Sequence, residues 1–509
     1  MRTKKTIVSL INIGSNLLTM RIMQLSNDRI ETLEVLERPL RIGREVFSTS
    51  KISFASIREI SASLKKYSQV MKEYGVLQCQ AFATTALRES ANRSFVLDQL
   101  RILNHIDIQI LPVVEECTLI YWEMLRRMPT YKELMPGGSL LCYIGTGSMG
   151  VAYYDGEHML SSCQVPLGTL KVMDMLKSIQ DHSPDFYVAL EEYLDSFITR
   201  LQSQLCCGKV ANLIVSGNAI DHLANACGAQ QQDGYAVLKK EALVTFHRHT
   251  RTQSLMQIAA RHHMSEDAAE IFYSLFNIFA KMTSFLDSDN IIAPNISLFD
   301  PLAQQTLFAA RRTDYQNSAR AYALASARTI AKRYGSNLAH IENVYENAIL
   351  LFDKTKRYHG LKNYHRFLLE LAVLLHDCGH FTSTHHHANS TYSIIINSFI
   401  SGVSEEDLMI VGNIARHNEF LQSAAGSLKK TEIQTYKLSA LLWLANSLDK
   451  SHRQKIRSPR VRVSGNTLKI VAISDKNLLL EQWAFEECIP FFEEVSGLKP
   501  EFVQQTLLL

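Results

Sequence analysis

No apolar run in this 509-residue sequence approaches the ~20 residues that a membrane-spanning helix requires, so no membrane partner is expected. The one N-terminal candidate, residues 6–11 behind Met1-Arg2-Thr3-Lys4-Lys5, is too short for the apolar region of a signal peptide. It ends at Asn12 without a small-residue cleavage site. CxxC spacing is absent as well. The nine cysteines, an odd number that includes the adjacent Cys206-Cys207, fall mostly in apolar stretches and read as reduced core thiols rather than a disulfide framework. Nor is there an excess of one charge: 53 Lys+Arg against 50 Asp+Glu leave a net +3, too little to argue for nucleic acid. These absences together lead to the expectation of a cytoplasmic protein with no nucleic-acid partner.

What is present is an ordinary globular composition, 46% hydrophobic and 20% charged. The length suggests roughly three or four domains. Two short glycine turns share a layout: Ile13-Gly14-Ser15-Asn16 and Ile144-Gly145-Thr146-Gly147-Ser148 each end an apolar run, residues 6–11 and 140–142, that suits a buried strand. A strand that stops at Gly and Ser exposes backbone N–H groups, with no Cβ to keep a phosphate oxygen away. Such a pair implies two related lobes facing each other across a phosphate-sized cleft; the alternative is two ordinary tight turns.

Along the chain, residues 6–11 and 17–24 read as paired strands, 54–74 as a helix, 78–83 and 108–114 as strands, and 115–127 as a helix. Pro136-Gly137-Gly138 marks a boundary, after which 139–143 and 151–154 read as a hairpin. A helical stretch runs on to about Gln204, and 213–216 is a short strand ending at Gly217-Asn218. From Asp314 strand signal nearly vanishes and long helical patterns take over. The end reads as a hairpin over 461–473 and a helix over 478–487 that Pro490 terminates.

These motifs add up to a resemblance. Asn12-Ile13-Gly14-Ser15-Asn16 with Arg21, Ala83-Thr84-Thr85-Ala86-Leu87-Arg88 with Asn92, Glu115-Glu116-Cys117-Thr118-Leu119-Ile120-Tyr121, Ile144-Gly145-Thr146-Gly147-Ser148 and Pro166-Leu167-Gly168 stand in the order of one family. The chain resembles the exopolyphosphatase / guanosine pentaphosphate phosphohydrolase (Ppx/GppA) family, joined to an HD-type helical domain. The resemblance implies α/β plus all-α architecture: an actin-like (ASKHA, ribonuclease H-like) lobe at 1–128, a second at 129–305, an HD-like helical domain at 306–457 and a small α+β segment at 458–509. It further implies removal of the terminal phosphoryl group from inorganic polyphosphate or pppGpp, Mg²⁺ (or Mn²⁺) as cofactor, and a homodimer. Phosphoanhydride hydrolysis needs donors for phosphoryl oxygens, a cation and a carboxylate that activates water. The phosphate-binding candidates are Gly14, Ser15, Asn16, Arg21, Thr84, Arg88, Gly145, Gly147 and Ser148. Glu116, with Glu115 beside it, is the candidate for water activation; the alternative is a pair of acids favouring a helix N-terminus.

The departures from the family pattern point one way. Its first-loop Asp is Asn12 here, the Asp opening the interlobe loop is Tyr143, and the Glu shortly after that loop is Gly150. Mg²⁺ requires carboxylate or phosphate oxygens, so phosphate binding survives these changes better than catalysis does. In the helical domain, His376-Asp377 follows a buried run in the manner of an HD motif, and His340 suits the first histidine; these three are the candidate metal ligands. The Asp expected in the later helix is Asn446, with Asp449 one turn away. Three functions therefore compete: a phosphohydrolase working through Glu116, a catalytically impaired polyphosphate or (p)ppGpp sensor, and an HD-type metal-dependent phosphohydrolase.

Overall fold

The computed structural model describes residues 6–26, 29–127, 137–180, 186–205, 207–383, 385–416, 428–456 and 458–506. Residues 1–5, Pro136 and Cys206, on which expectations above rest, lie outside them. The chain divides into two compact units, residues 1–319 and 320–509.

The first lobe of unit 1 is built on β1 (Thr6–Ile13), β2 (Leu17–Ser26), β3 (Arg29–Pro39), β4 (Gln78–Ala83) and β5 (Ile108–Ile110). They form one sheet in the order β3-β2-β1-β4-β5, with β1, β2 and β3 antiparallel and β4 and β5 parallel to β1. The near-continuous apolar run of β1 fits its central place, because a strand covered on both faces has no solvent side to alternate with. β3 was not expected. It is largely exposed, and Glu31, Glu34, Glu37 and Arg38 interrupt its apolar residues, as suits an edge strand that must not recruit another chain. The strand expected over 108–114 stops at Ile110, and a helix starts at Val113, two positions earlier than read. Glu115 and Glu116 in its first turn complement the helix dipole and offset two β-branched valines at its start.

The second lobe contains β6 (Gly138–Ile144), β7 (Met149–Tyr154), β8 (Met159–Val165), β9 (Val210–Gly217), β10 (Gln230–Gln232), β11 (Tyr235–Lys239) and β12 (Asn290–Pro294), ordered β10-β11-β12-β9-β6-β7-β8. Its portion β8-β7-β6-β9-β12 repeats the first sheet: an antiparallel meander, then two strands parallel to the meander's first strand. The helical stretch expected up to about Gln204 comprises Thr169–Gln180 and Phe186–Gln204 among the described residues. The boundary expected at 305 falls inside the helix Phe299–Leu307, which packs on the first lobe rather than the second. Asp300 pairs with Arg127 (3.0 Å), the Arg21 guanidinium lies 4.7 Å above the Phe299 ring, and Thr306 bonds Gln80 (3.0 Å).

Unit 2 holds the helices Leu338–His359, Asn363–Leu375, His387–Ile396, Glu405–Ala415 and Lys430–Ser447, then β13 (Arg460–Ser464), β14 (Thr467–Ile473) and β15 (Lys499–Gln505) in the order β13-β14-β15. The hairpin expected near Gly465 is present, with Gly465 at φ +58°. The segment after 457 is not a separate body: Val461, Leu468, Ile470, Phe485 and Phe492 join Leu351, Leu371 and Leu444 in one apolar core. Pro490 does not end its helix, which runs from Leu479 to Ser496. The proline is exposed while Phe485, Cys488 and Phe492 are buried, so burial of the apolar stripe outweighs the missing hydrogen bond. Among the described residues no helix is long and apolar enough to cross a membrane, and the eight described cysteines are free thiols.

A proline inside a helix costs about 3 kcal/mol relative to alanine, partly offset by the smaller entropy of the unfolded chain. Pro490→Ala is therefore expected to stabilise unit 2 by ~1–2 kcal/mol, read as a higher midpoint in urea unfolding followed by the Trp443 and Trp483 fluorescence.

Candidate functional site

The two glycine turns occupy equivalent places, one between β1 and β2 and the other between β6 and β7. In both, the opening glycine donates its amide across the turn, Gly14 to Leu17 O and Gly145 to Ser148 O, each at 2.9 Å. The loop carbonyls are used up by the segment that follows. Leu40 and Gly43 N–H donate to Asn16 O and Ser15 O (2.7 and 3.0 Å), and Thr169 and Leu170 N–H donate to Gly145 O and Thr146 O (both 3.0 Å). Four oxygens that would repel an anion are thereby engaged. The loops meet through Ser15 Oγ and Thr146 Oγ1, 2.8 Å apart and buried.

Between the lobes lies a cleft of about 780 Å³ whose walls include Gly14, Ser15, Asn16, Arg21, Thr84, Glu116 and Gly145. That volume is ample for a phosphate chain or a nucleotide. Two buried polar atoms on its wall, Asn12 Oδ1 and Arg21 Nε, have no hydrogen-bond partner among the described residues. The sequence reading missed other wall residues: the turn Gly217-Asn218-Ala219 after β9, residues 295–299 after β12, and Arg41 and Arg44, which pair with Asp267 across the lobes (3.2 and 2.8 Å). The Gly-Asn end of the strand over 213–216 was the available signal for the first of these. Nothing local in the sequence signals the other two.

Four candidates are not on the cleft wall. Glu115 is exposed on the first turn of the Val113–Arg127 helix. Gly147 is packed against the first lobe: a Cβ there would lie 2.2 Å from Thr85 Cγ2, so only glycine fits. Ser148 closes the turn through its carbonyl. Arg88 lies behind Glu116 and spends its donors on the Glu116 carboxylate (3.0 Å), Leu111 O (2.7 Å) and Thr85 Oγ1 (3.2 Å). Its charge goes to a protein carboxylate, not to the cleft.

Glu116 is 6% exposed and has a partner on each oxygen, Arg88 on Oε2 and the Tyr143 hydroxyl, from the second lobe, on Oε1 at 2.8 Å. Burial, then the charge on Glu116, pushes the Tyr143 phenol well above its ordinary value, so it stays protonated and donates. Where the family pattern carries a further acid, Gly150 has no room for one: a Cβ would lie 2.5 Å from both Cys117 Sγ and Tyr121 Oη.

The sequence resemblance implies Mg²⁺, and the donor set does not fit it. A magnesium ion needs near-octahedral oxygen ligands that include carboxylates. Where the family pattern has acids, this cleft has the Asn12 amide, the Tyr143 phenol and the filled Gly150 position. The remaining wall carboxylates are exposed Glu37, Glu59 and Asp221, and Asp267 in its ion pairs.

In unit 2 the candidate ligands are drawn to other partners. His340, fully buried, has Nδ1 2.9 Å from Asp449 Oδ2, and its ring stacks on His452 with centroids 3.6 Å apart. Gln454 occupies both Asp449 oxygens as well (2.7 and 3.0 Å). His376 Nδ1 donates to Val373 O at 2.7 Å, and Asp377 lies 3.4 Å from His380. Among the described residues no group of three or more His, Cys, Asp or Glu is arranged to hold a metal ion. The other ring nitrogen of each candidate histidine, His340 Nε2 and His376 Nε2, is buried without a hydrogen-bond partner among the described residues, the two rings lying 5.6 Å apart.

Two lobes of one strand order, closing on a cleft between their first hairpin turns, define an actin-like fold carrying a C-terminal helical domain. The model of the Ppx/GppA phosphatase family matches residues 21–299 and that of Ppx/GppA phosphatase domain III matches residues 324–486. The chain belongs to the Ppx/GppA phosphatase family. Among solved structures, it is similar to the Ppx/GppA family member of Aquifex aeolicus, at 18% identity over 60% of this chain and 99% of that one, with a TM-score of 0.50. It is likewise similar to an exopolyphosphatase from Cytophaga hutchinsonii ATCC 33406, at 18% identity over 60% and 98% of the two chains, with a TM-score of 0.52. At that identity the likeness carries the fold.

Two outcomes follow from this geometry. Arg88→Ala leaves a buried carboxylate without its counter-charge and is expected to cost about 3–5 kcal/mol, whereas Arg88→Met with Glu116→Gln recovers much of it. Urea unfolding of the single and double variants measures both. Burial pushes His376 down to about 4. The unfolded chain titrates near ~6.5, so this stability is complete above that pH and is lost as pH falls toward the folded value. The thermal midpoint of unit 2 should decline over that window, and decline less in His376→Gln.

Proposed function

We propose that the cleft is a terminal-phosphate site for a phosphoanhydride chain, and that water oriented on Glu116 attacks the end phosphorus directly. The observation that carries the reading is the meeting of the two equivalent loops at Ser15 and Thr146 beside a buried carboxylate. Backbone amides of the loops and the Arg21 guanidinium supply donors for phosphoryl oxygens, an arrangement that acts through positioning and charge rather than covalent chemistry. Inorganic polyphosphate is favoured over pppGpp. A long polyanion gains from every basic residue it meets, whereas a nucleotide needs a base pocket, and none has been identified among the wall residues.

The second reading is a sensor that holds polyphosphate or (p)ppGpp with hydrolysis impaired. What favours it is the double engagement of Glu116: Arg88 on one oxygen and Tyr143 on the other compete with a water for its lone pairs.

Phosphate release and equilibrium binding, measured together on long-chain polyphosphate and on pppGpp, separate the two. The hydrolase reading expects release that falls by ~10²–10⁴-fold in Glu116→Gln with binding retained. Tight binding with no release, unchanged by that substitution, establishes the sensor instead.

A further inference from the structure

The misfit between the cleft and a magnesium ion has a positive side. In Glu116 the structure holds a buried carboxylate that already accepts on both oxygens, from a guanidinium on one and from a hydroxyl of the opposite lobe on the other. A divalent cation at this place would neutralise the carboxylate, fix its orientation and link the two lobes. Arg88 supplies the first of these: its charge lies 3.0 Å from Oε2, and Leu111 O and Thr85 Oγ1 hold the guanidinium in place. Tyr143 supplies the other two, since its hydroxyl reaches across from β6 to Oε1. Each Glu116 oxygen keeps a second lone pair, but a divalent ion there would stand beside the Arg88 guanidinium and meet its repulsion, and the acid position at Gly150 is filled by Cys117 and Tyr121. Meanwhile Asn12 places an amide where the family pattern has a carboxylate, and removing that charge lowers the repulsion an incoming polyanion meets.

We propose that Arg88 and Tyr143 together replace the cation at Glu116, so that this cleft holds the phosphates of its ligand with protein donors alone. Tyr143 is the positioning residue, acting through Glu116. The proposal rests on the reading of the cleft as a phosphate site.

The test uses the full chain and tripolyphosphate as the probe, with calorimetric titration in EDTA and again in Mg²⁺. Binding in EDTA at least as tight as in Mg²⁺ is the expected result. Binding that weakens by about tenfold or more in EDTA, a coupling of ordinary allosteric size, overturns the proposal while leaving the phosphate site standing. Absence of binding under both conditions overturns the phosphate-site reading itself, and this proposal with it. A second measurement follows Mn²⁺ alone by electron paramagnetic resonance. Wild type and Glu116→Gln should bind equal amounts, and Tyr143→Asp, which places a carboxylate beside Glu116, should bind one ion more. One more Mn²⁺ in wild type than in Glu116→Gln sinks the proposal. The wild-type comparison decides the matter even if Tyr143→Asp does not fold.

Discussion

A carboxylate taken out of water must be given partners or lose its charge, and in unit 1 this demand falls on Glu116. Its partners come from two directions. Arg88 belongs to the short helix Thr85–Glu89 of the first lobe, and Tyr143 belongs to β6 of the second. Satisfying one buried group therefore ties the lobes together at the floor of the cleft. The arrangement also bears on the cleft's chemistry, because oxygens that already accept from an arginine and a phenol have fewer lone pairs left for a metal or a water.

The walls above that floor are made by duplication. Each lobe starts with an antiparallel meander whose first turn opens on glycine, and each turn hands its carbonyls to the segment that follows. As the proposed phosphate site, such a surface offers backbone amides beside the Arg21 guanidinium. Volume enforces the rest. Thr85 allows only hydrogen at Gly147, and Cys117 with Tyr121 allows only hydrogen at Gly150.

Unit 2 keeps histidines and acids in HD-like sequence positions, and several of them hold one another. His340 is held between Asp449 and the ring of His452, and Asp449 is held in turn by Gln454. These contacts satisfy one face of the cluster only: His340 Nε2, His376 Nε2 and Asn446 Oδ1 are buried without a hydrogen-bond partner among the described residues.

Much of this was legible in advance. Strand-ending glycines, the strand at residues 78–83, the helical change of character after Asp314 and the hairpin at Gly465 all follow from short-range rules of periodicity and turn chemistry. Those rules act within a few residues, so they failed where distant contacts decide: the charged edge strand β3, the passage of a helix through Pro490, and the return of Phe299–Leu307 to the first lobe. The same limit applies to the site. The sequence by itself determined that Gly14, Gly145 and Glu116 are of a kind suited to phosphate chemistry. Only the tertiary structure decided that Arg88, 28 positions from Glu116, and Tyr143, 27 positions from it, would give their donors to that carboxylate. The physical reason is that desolvation on burial forces a charged group to take the donors that folding brings within reach, and no local pattern records which those are.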